Sequence, residues 1–105
     1  MTGRTGNMKE QIEVLRKRPR RDWEKVTMPN TLEALQTTVM GNIECVRLTE
    51  DACVICHEEG RILGLEPNYA FGVDWAGTIL VVGIDGEEFA DVPEAAAAMA
   101  MEGRI

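Results

Sequence analysis

The three cysteines and the single histidine of this chain fall close together, at Cys45 and in the run Cys53-Val54-Ile55-Cys56-His57. That run has the C-x-x-C-H spacing of covalent haem attachment, in which two thiols add to the porphyrin and the histidine ligates iron. With Cys45 added, the set is numerically the Cys3His complement of a structural zinc site. Neither chemistry suits the local sequence. Val54 and Ile55 favour a strand, and strand alternation sends residues 53 and 56 to opposite faces, whereas haem attachment needs both thiols against one ring. Zinc ligand pairs sit on turns, but Cys45 and Cys53 lie inside strand-forming runs. Cys45 and Cys53 are therefore expected to be small buried hydrophobes, with no metal, haem or redox role for the three thiols, since a reactive cysteine wants basic neighbours or a helix N-terminus. His57 is followed by Glu58 and Glu59 and reads as a solvated strand end.

The basic run Arg16-Lys17-Arg18-Pro19-Arg20-Arg21 is a second concentration of chemistry. Five cations in six residues could hold phosphate or nucleic acid. The charge of the rest of the chain works against that use. Residues 1–27 carry a net +4 and residues 28–105 a net −11, so a duplex would be repelled everywhere but at this turn. Only Trp23 could stack on a base nearby. The alternative is a solvated turn that pairs with acids of this chain or of a partner subunit. The carboxylates Glu58, Glu59, Glu66, Asp74, Asp85, Glu87, Glu88 and Asp91 do not follow the alternating ligand pattern of a calcium loop. Gly83-Ile84-Asp85-Gly86 is too short to cradle phosphate. The chain has no serine, which excludes a serine triad. No catalytic residue and no cofactor is assigned, and the chain is expected not to be an enzyme.

Hydrophobic periodicity supplies the elements that must position these residues. Gln11 to Leu15 and the weaker Asp22 to Thr27 read as strands of a hairpin around the basic run, with Trp23 and Val26 on opposite sides. Thr31 to Met40 is predicted as a helix. Asn30 caps it, Glu33 answers in a capping-box arrangement, Leu32, Leu35 and Val39 share a face, and Gly41 ends it. Ile43 to Leu48 and Ala52 to Cys56 form a second hairpin across Thr49-Glu50-Asp51. His57 to Ala76 breaks into Gly60, Gly64, Pro67, Asn68 and Gly72 and reads as a long loop that is either functional or conceals turns. Gly77 to Val82 is the expected central strand, Asp85-Gly86 a tight turn into Phe89, and Asp91 and Pro93 open an alanine-rich helix to about Met101.

The chain has 105 residues, 45% apolar and 28% charged, with a net charge of −7. A chain of this size sustains one core and buries roughly 65% of its unfolded surface. Residues 1–7 are expected to be a disordered lead-in or expression remnant, and residues 8–105 a single domain. The longest apolar runs, Thr78 to Ile84 and Ala95 to Met101, fall far short of the ~20 residues of a membrane-spanning helix. With no basic-then-apolar leader and an odd number of cysteines, the expectation is a cytoplasmic protein with reduced thiols and no membrane partner.

Four stretches in order carry a family resemblance: Asn30-Thr31-Leu32-Glu33-Ala34-Leu35-Gln36, Gly41-Asn42-Ile43-Glu44, Cys56-His57-Glu58-Glu59-Gly60-Arg61 with Gly64-Leu65 and Asn68, and Gly77-Thr78-Ile79-Leu80-Val81-Val82-Gly83. From about Met8 to Asp91 the chain resembles the family catalogued as domain of unknown function 3846, carried by bacteriophages, plasmids and other mobile elements. In that pattern the position of His57 is often asparagine, and cysteines at 45 and 53 are not required. The resemblance implies a setting inside a bacterial host and no particular activity. A small acidic protein in that setting is commonly an accessory factor, one class of which blocks host defence by occupying a host protein or by sequestering a nucleotide signal.

The expected architecture is α+β, a small mixed or mainly antiparallel sheet of about five strands with one central helix and a C-terminal helix, both packed on one face. The expected function is a non-catalytic binding module for a host protein or small-molecule signal, with Glu44, Glu58, Glu59, Arg61, Asn68 and Tyr69 as the recognition residues near glycines that let a ligand approach the backbone. The competing reading makes Glu58 to Gly60 a plain turn and Asn68 its cap. The alternative function is nucleic-acid or phosphate binding through Arg16, Lys17, Arg18, Arg20 and Arg21. The alanine-rich helix and an exposed strand edge are compatible with a homodimer.

Overall fold

Ile79, Leu80, Val81 and Val82 are all inaccessible to solvent, so the strand that carries them must be covered on both faces. The structure, a computed structural model, describes residues 10–102; the expected lead-in at residues 1–7 lies outside them. The described chain runs β1 (Gln11–Lys17), β2 (Glu24–Pro29), α1 (Leu32–Val39), β3 (Ile43–Thr49), β4 (Ala52–His57), α2 (Gly60–Leu63), β5 (Pro67–Ala70), β6 (Val73–Ala76), β7 (Ile79–Asp85), β8 (Glu88–Ala90) and α3 (Glu94–Glu102). Six strands form one sheet in the order β2-β1-β7-β4-β3, with β8 also paired to β7; β5 and β6 form a separate hairpin. Every pairing among the described residues is antiparallel. The fold is thus α+β, with a sheet one strand larger than expected because the Asp85-Gly86 turn returns the chain as β8.

Alternation along the central strands divides the core in two. Leu80 and Val82 of β7, Cys53 and Ile55 of β4, and Ile12 and Val14 of β1 face Leu35 and Val39 of α1. Ile79 and Val81, Val54 and Cys56, and Leu15 point the other way, toward Ala96 and Ala100 of α3 and toward Ala70, Phe71 and Trp75 of the β5-β6 hairpin. The two longer helices therefore lie on opposite faces, and the expectation that both pack on one face is corrected. A strand as uniformly apolar as β7 leaves no face for water, and each fully buried Val, Leu or Ile contributes about 2 kcal/mol. Trp23 precedes β2, joins the α3-side core and packs its ring 5.6 Å from that of Phe71. Val26 lies on the α1 side, as the spacing of these two residues required.

Helix α1 starts one residue later than predicted. Thr31, not Asn30, is its cap: the Thr31 hydroxyl accepts from the Ala34 N–H at 3.1 Å. With the cap moved, Glu33 no longer sits at the third helical position that a capping box needs. The Asn30 amide instead donates to the Phe89 carbonyl at 3.0 Å and ties the start of α1 to β8. At the other end Met40 takes the left-handed conformation, φ 70°, ahead of Gly41.

The stretch expected as a loop, His57 to Ala76, holds one helical turn and a hairpin of four-residue strands. At the opposite end of the sheet the chain after β8 folds back over β7 and β1. The Glu13 N–H donates to the Asp91 carboxylate at 2.8 Å, and the Val92 N–H to the Glu13 carbonyl at 2.8 Å. This return crosses Gly83 so closely that a Cβ there would lie 2.1 Å from the Asp91 carbonyl oxygen. Gly83→Ala must push two backbones apart and is expected to cost about 3 kcal/mol, the upper end for overpacking, read as a lowered urea midpoint with unchanged slope.

Candidate functional site

Alternation on β3 decides what this edge strand offers to each side. Glu44 opposes Cys56 and Val46 opposes Val54, so both stand on the face that carries the β5-β6 hairpin. The hairpin and α2 do not close over β3. Between them lies a groove of about 330 Å³, bounded by Glu44, Val46 and Cys56 on one side and by Glu58, Arg61, Ile62 and residues 73–76 on the other. Gly60 permits this closeness: a Cβ at that position would lie 2.9 Å from the Ala76 carbonyl oxygen. The Arg61 guanidinium donates to the Asp74 carbonyl and bridges α2 to β6. A second, more open depression of about 320 Å³ lies against Arg61, Asp74 and Trp75 and adds Leu65 and Pro67.

The groove combines carboxylates with uncovered apolar groups. Glu44, Glu58 and Asp74 line it with Arg61 the only cation among its lining residues, and Ile62 stands at its rim with 84% of its surface exposed. Val46 and Val73 are partly exposed beside it. Burial, with the Glu44 and Cys45 side chains adding to it and Arg61 opposing, pushes the Cys56 thiol up. At neutral pH Cys56 is a protonated floor of the groove, not a thiolate nucleophile.

Three of the six expected recognition residues, Glu44, Glu58 and Arg61, are brought together here. The other three lie elsewhere. Glu59 points its backbone N–H at the His57 Nδ1, 2.9 Å away, and does not line the groove. Tyr69 opposes Asp74 across the hairpin and is exposed outside it. Asn68 is 1% exposed: its amide donates to the Lys17 and Gly77 carbonyls at 2.9 Å each, and its Oδ1 accepts from the Lys17 ammonium at 2.7 Å. Asn68 is thus a rivet between β1, β5 and the approach to β7, with both amide hydrogens committed. Ile62, Val73 and Asp74 went unnoticed as site residues. An apolar residue inside a glycine-flanked turn gives no sequence sign that it will be left in water.

The thiols divide as strand geometry dictates. Cys56 faces the groove, whereas Cys53 points to the α1 side. Cys45 opposes Ile55, shares that side, and brings its Sγ within 3.3 Å of the Cys53 Sγ. Cys45 is exposed and not buried as expected, because β3 is the sheet edge and the α1-side core that packs on its Ile43 leaves Cys45 uncovered. The His57 ring lies against Gly41 on the α1 side, so it does not meet the Cys56 sulfur. Among the described residues no three His, Cys, Asp or Glu side chains are grouped to share a metal ion.

The basic run is tied down by its own chain. Arg16 and Glu24 are directly opposite in the β1-β2 register, and the Arg16 Nε donates to the Glu24 carboxylate at 3.1 Å. Arg18 reaches the same carboxylate at 2.9 Å, and Arg20 meets Glu66 at 2.6 Å. The Arg16 hydrogen bond and the charges of Arg16 and Arg18 hold Glu24 below the usual carboxylate range, against a smaller opposing effect of burial. The alanine face of α3 is likewise engaged within the chain, with Ala96 and Ala100 buried on the sheet. Among the described residues no helix is long and apolar enough to cross a membrane.

An antiparallel six-stranded sheet with a helix on each face, and a hairpin standing off its β3 edge, is the frame on which this groove is built. Residues 11–103 match the family described as Domain of unknown function (DUF3846), and the chain belongs to that family. No curated protein and no solved structure matches it.

Two measurements separate structural from surface roles here. Asn68→Ala removes the partner of the buried Gly77 carbonyl and of the partly buried Lys17 carbonyl and is expected to cost about 3 kcal/mol, whereas Tyr69→Ala should change stability by under about 0.5 kcal/mol; urea unfolding of both variants gives the comparison. Burial, the hydrogen bond with Cys45 and its charge raise Cys53 from 9.0 to about 12, with Arg47 opposing. The folded state prefers the neutral thiol, so its contribution is complete below pH 9.0 and lost as pH rises toward about 12. Over that window the stability of the wild type should fall more steeply than that of Cys53→Ala.

Proposed function

We propose that this chain is a non-catalytic binding module made by a phage or other mobile element, and that it engages a host protein in the bacterial cytoplasm through the groove between β3, α2 and β6. A role as an accessory factor or host-defence inhibitor is consistent with that setting. The observation that carries the reading is Ile62, a large apolar side chain left almost wholly in water at the rim of a cleft lined by Glu44, Glu58 and Asp74. Exposed apolar surface rimmed by polar groups is what a protein partner covers. The carboxylates favour a partner patch that carries lysine or arginine beside its apolar residues. They disfavour the other expected ligand, a nucleotide signal, because its phosphates would meet three acids and an Arg61 already committed to the Asp74 carbonyl.

The alternative of nucleic-acid binding through Arg16 to Arg21 draws less support. Arg16, Arg18 and Arg20 are paired with Glu24 and Glu66, and Lys17 with Asn68. Phosphate must compete with those partners before it gains anything.

The test is recovery of the partner from the host by tagged protein, with matched variants. Ile62→Asp and Glu44→Lys should each reduce the recovered partner at least tenfold while leaving the melting temperature unchanged, and Arg20→Gln should not reduce it. Equal recovery by all four proteins would overturn the groove. Binding of a labelled DNA duplex that persists at moderate salt and disappears with Arg16→Gln and Arg20→Gln would favour the alternative.

A further inference from the structure

The face of β3 turned away from the groove carries the pair Cys45 and Cys53. In the β3-β4 register Cys45 opposes Ile55 and Arg47 opposes Cys53, so the two cysteines are diagonal neighbours across adjacent strands, with Sγ atoms 3.3 Å apart. One thiol is exposed and the other buried, the arrangement of an attacking sulfur and a resolving one. A disulfide requires about 2.05 Å between sulfurs, and a diagonal pair, with Cα atoms ~7–8 Å apart, lies at or just beyond the ~7 Å that can be bridged without backbone movement, so one strand must give by roughly 1 Å. β3 is the strand able to give. It is the last in the sheet, paired to β4 alone, and its register slips between Arg47 and Thr49, just past Cys45.

We propose that Cys45 and Cys53 form an oxidisable dithiol, a modification site at which a small disulfide of the glutathione class converts the pair into a cross-strand disulfide that staples β3 to β4. The Cys45 thiolate attacks one sulfur of the small disulfide, a mixed disulfide forms on Cys45, and one small thiolate leaves. Cys53 then gives up its proton and attacks the Cys45 sulfur. The second small thiolate leaves, and the protons of the two protein thiols end on the two small thiols. Two protein thiols are oxidised and one small disulfide is reduced to two thiols. The order follows from exposure, because buried Cys53 is out of reach of the reagent and held protonated. Once Cys45 carries the adduct, proximity brings Cys53 to it at a high effective concentration. Cys56, on the opposite face of β4, cannot be the partner. The proposal is therefore not the C-x-x-C pairing that the spacing of Cys53 and Cys56 invites.

The test treats the folded, fully reduced protein with oxidised glutathione, followed by intact mass and peptide mapping. The expected product has lost two hydrogens and contains a Cys45–Cys53 crosslinked peptide, with Cys56 still free to alkylate after unfolding. Cys53→Ser should stop at one glutathione adduct, on Cys45. Cys45→Ser should be modified at least tenfold more slowly than the wild type and give no crosslink. The proposal is overturned by a wild-type product that ends as the Cys45 adduct, by a bond that includes Cys56, or by a Cys45–Cys53 bond formed only in denaturant. Thermal melting of both serine variants before treatment establishes that each is folded, and the wild-type product decides the matter whether or not they are.

Discussion

The complete burial of β7 on both faces governs the rest of this fold. A strand made of Ile79, Leu80, Val81 and Val82 has no side that tolerates water, so one covering layer cannot suffice. On one side α1 supplies Leu35 and Val39. On the other, the small alanines of α3 leave room that the β5-β6 hairpin fills with Ala70, Phe71 and Trp75. The hairpin is thus required by the core and is not an ornament of a loop. Because it is anchored over the centre of the sheet by aromatic packing, it stands beside β3 without closing on it. The groove is the space left by that mismatch between the width of the sheet and the width of its cover.

Charge is distributed with the same economy. The basic turn between β1 and β2 looks like a binding surface in the sequence, but antiparallel register sets Arg16 opposite Glu24, and Arg18 converges on the same carboxylate. Exposed pairs of this kind add little stability. Their effect is to spend the turn's hydrogen-bonding capacity locally. At the groove the opposite holds. Glu44, Glu58 and Asp74 have Arg61 as the only cation among the lining residues, and its guanidinium is turned to a backbone carbonyl. The unbalanced field beside the exposed Val46, Ile62 and Val73 is therefore negative.

How much of this was legible depends on the length of each signal. β7, α1, α3 and the two large hairpins could be read because each carries a signal several residues long: an unbroken apolar run in β7, a capped helical period in α1, alanine propensity after Pro93 in α3 and β-rich runs in the hairpins. The cap of α1 was misplaced by one residue because Asn30 and Thr31 are both competent caps, and the choice between them was made by a carbonyl on β8, 59 residues away. Residues 57–76 were illegible because one helical turn and two four-residue strands, broken by glycines, are too short to establish a period. The site divided similarly. Glu44, Glu58 and Arg61, chosen as polar groups near glycines, line one groove, but the same criterion chose Asn68, whose amide serves the interior. Sequence cannot say whether a polar side chain faces water or an orphan carbonyl. Nor can it say that Ile62 is left uncovered, since that depends on where the hairpin stops.

The two faces of β3 join these observations. Glu44 and Val46 form one wall of the groove, and the residue between them, Cys45, touches Cys53 on the reverse side. Alternation makes this unavoidable: on an edge strand no residue can move without carrying its neighbours on the opposite face. An interior strand resists such motion through two ladders of hydrogen bonds, whereas β3 has one, loosened at the bulge between Arg47 and Thr49. Any displacement that brings the two sulfurs together draws the backbone of Glu44 and Val46 with it and changes the width of the groove on the far side. The β5-β6 hairpin is held by its own contacts with the central sheet and does not follow. The proposed thiol chemistry and the proposed recognition surface therefore lie on the two faces of one edge strand, and the path between them is a single peptide strand that does not run through the core.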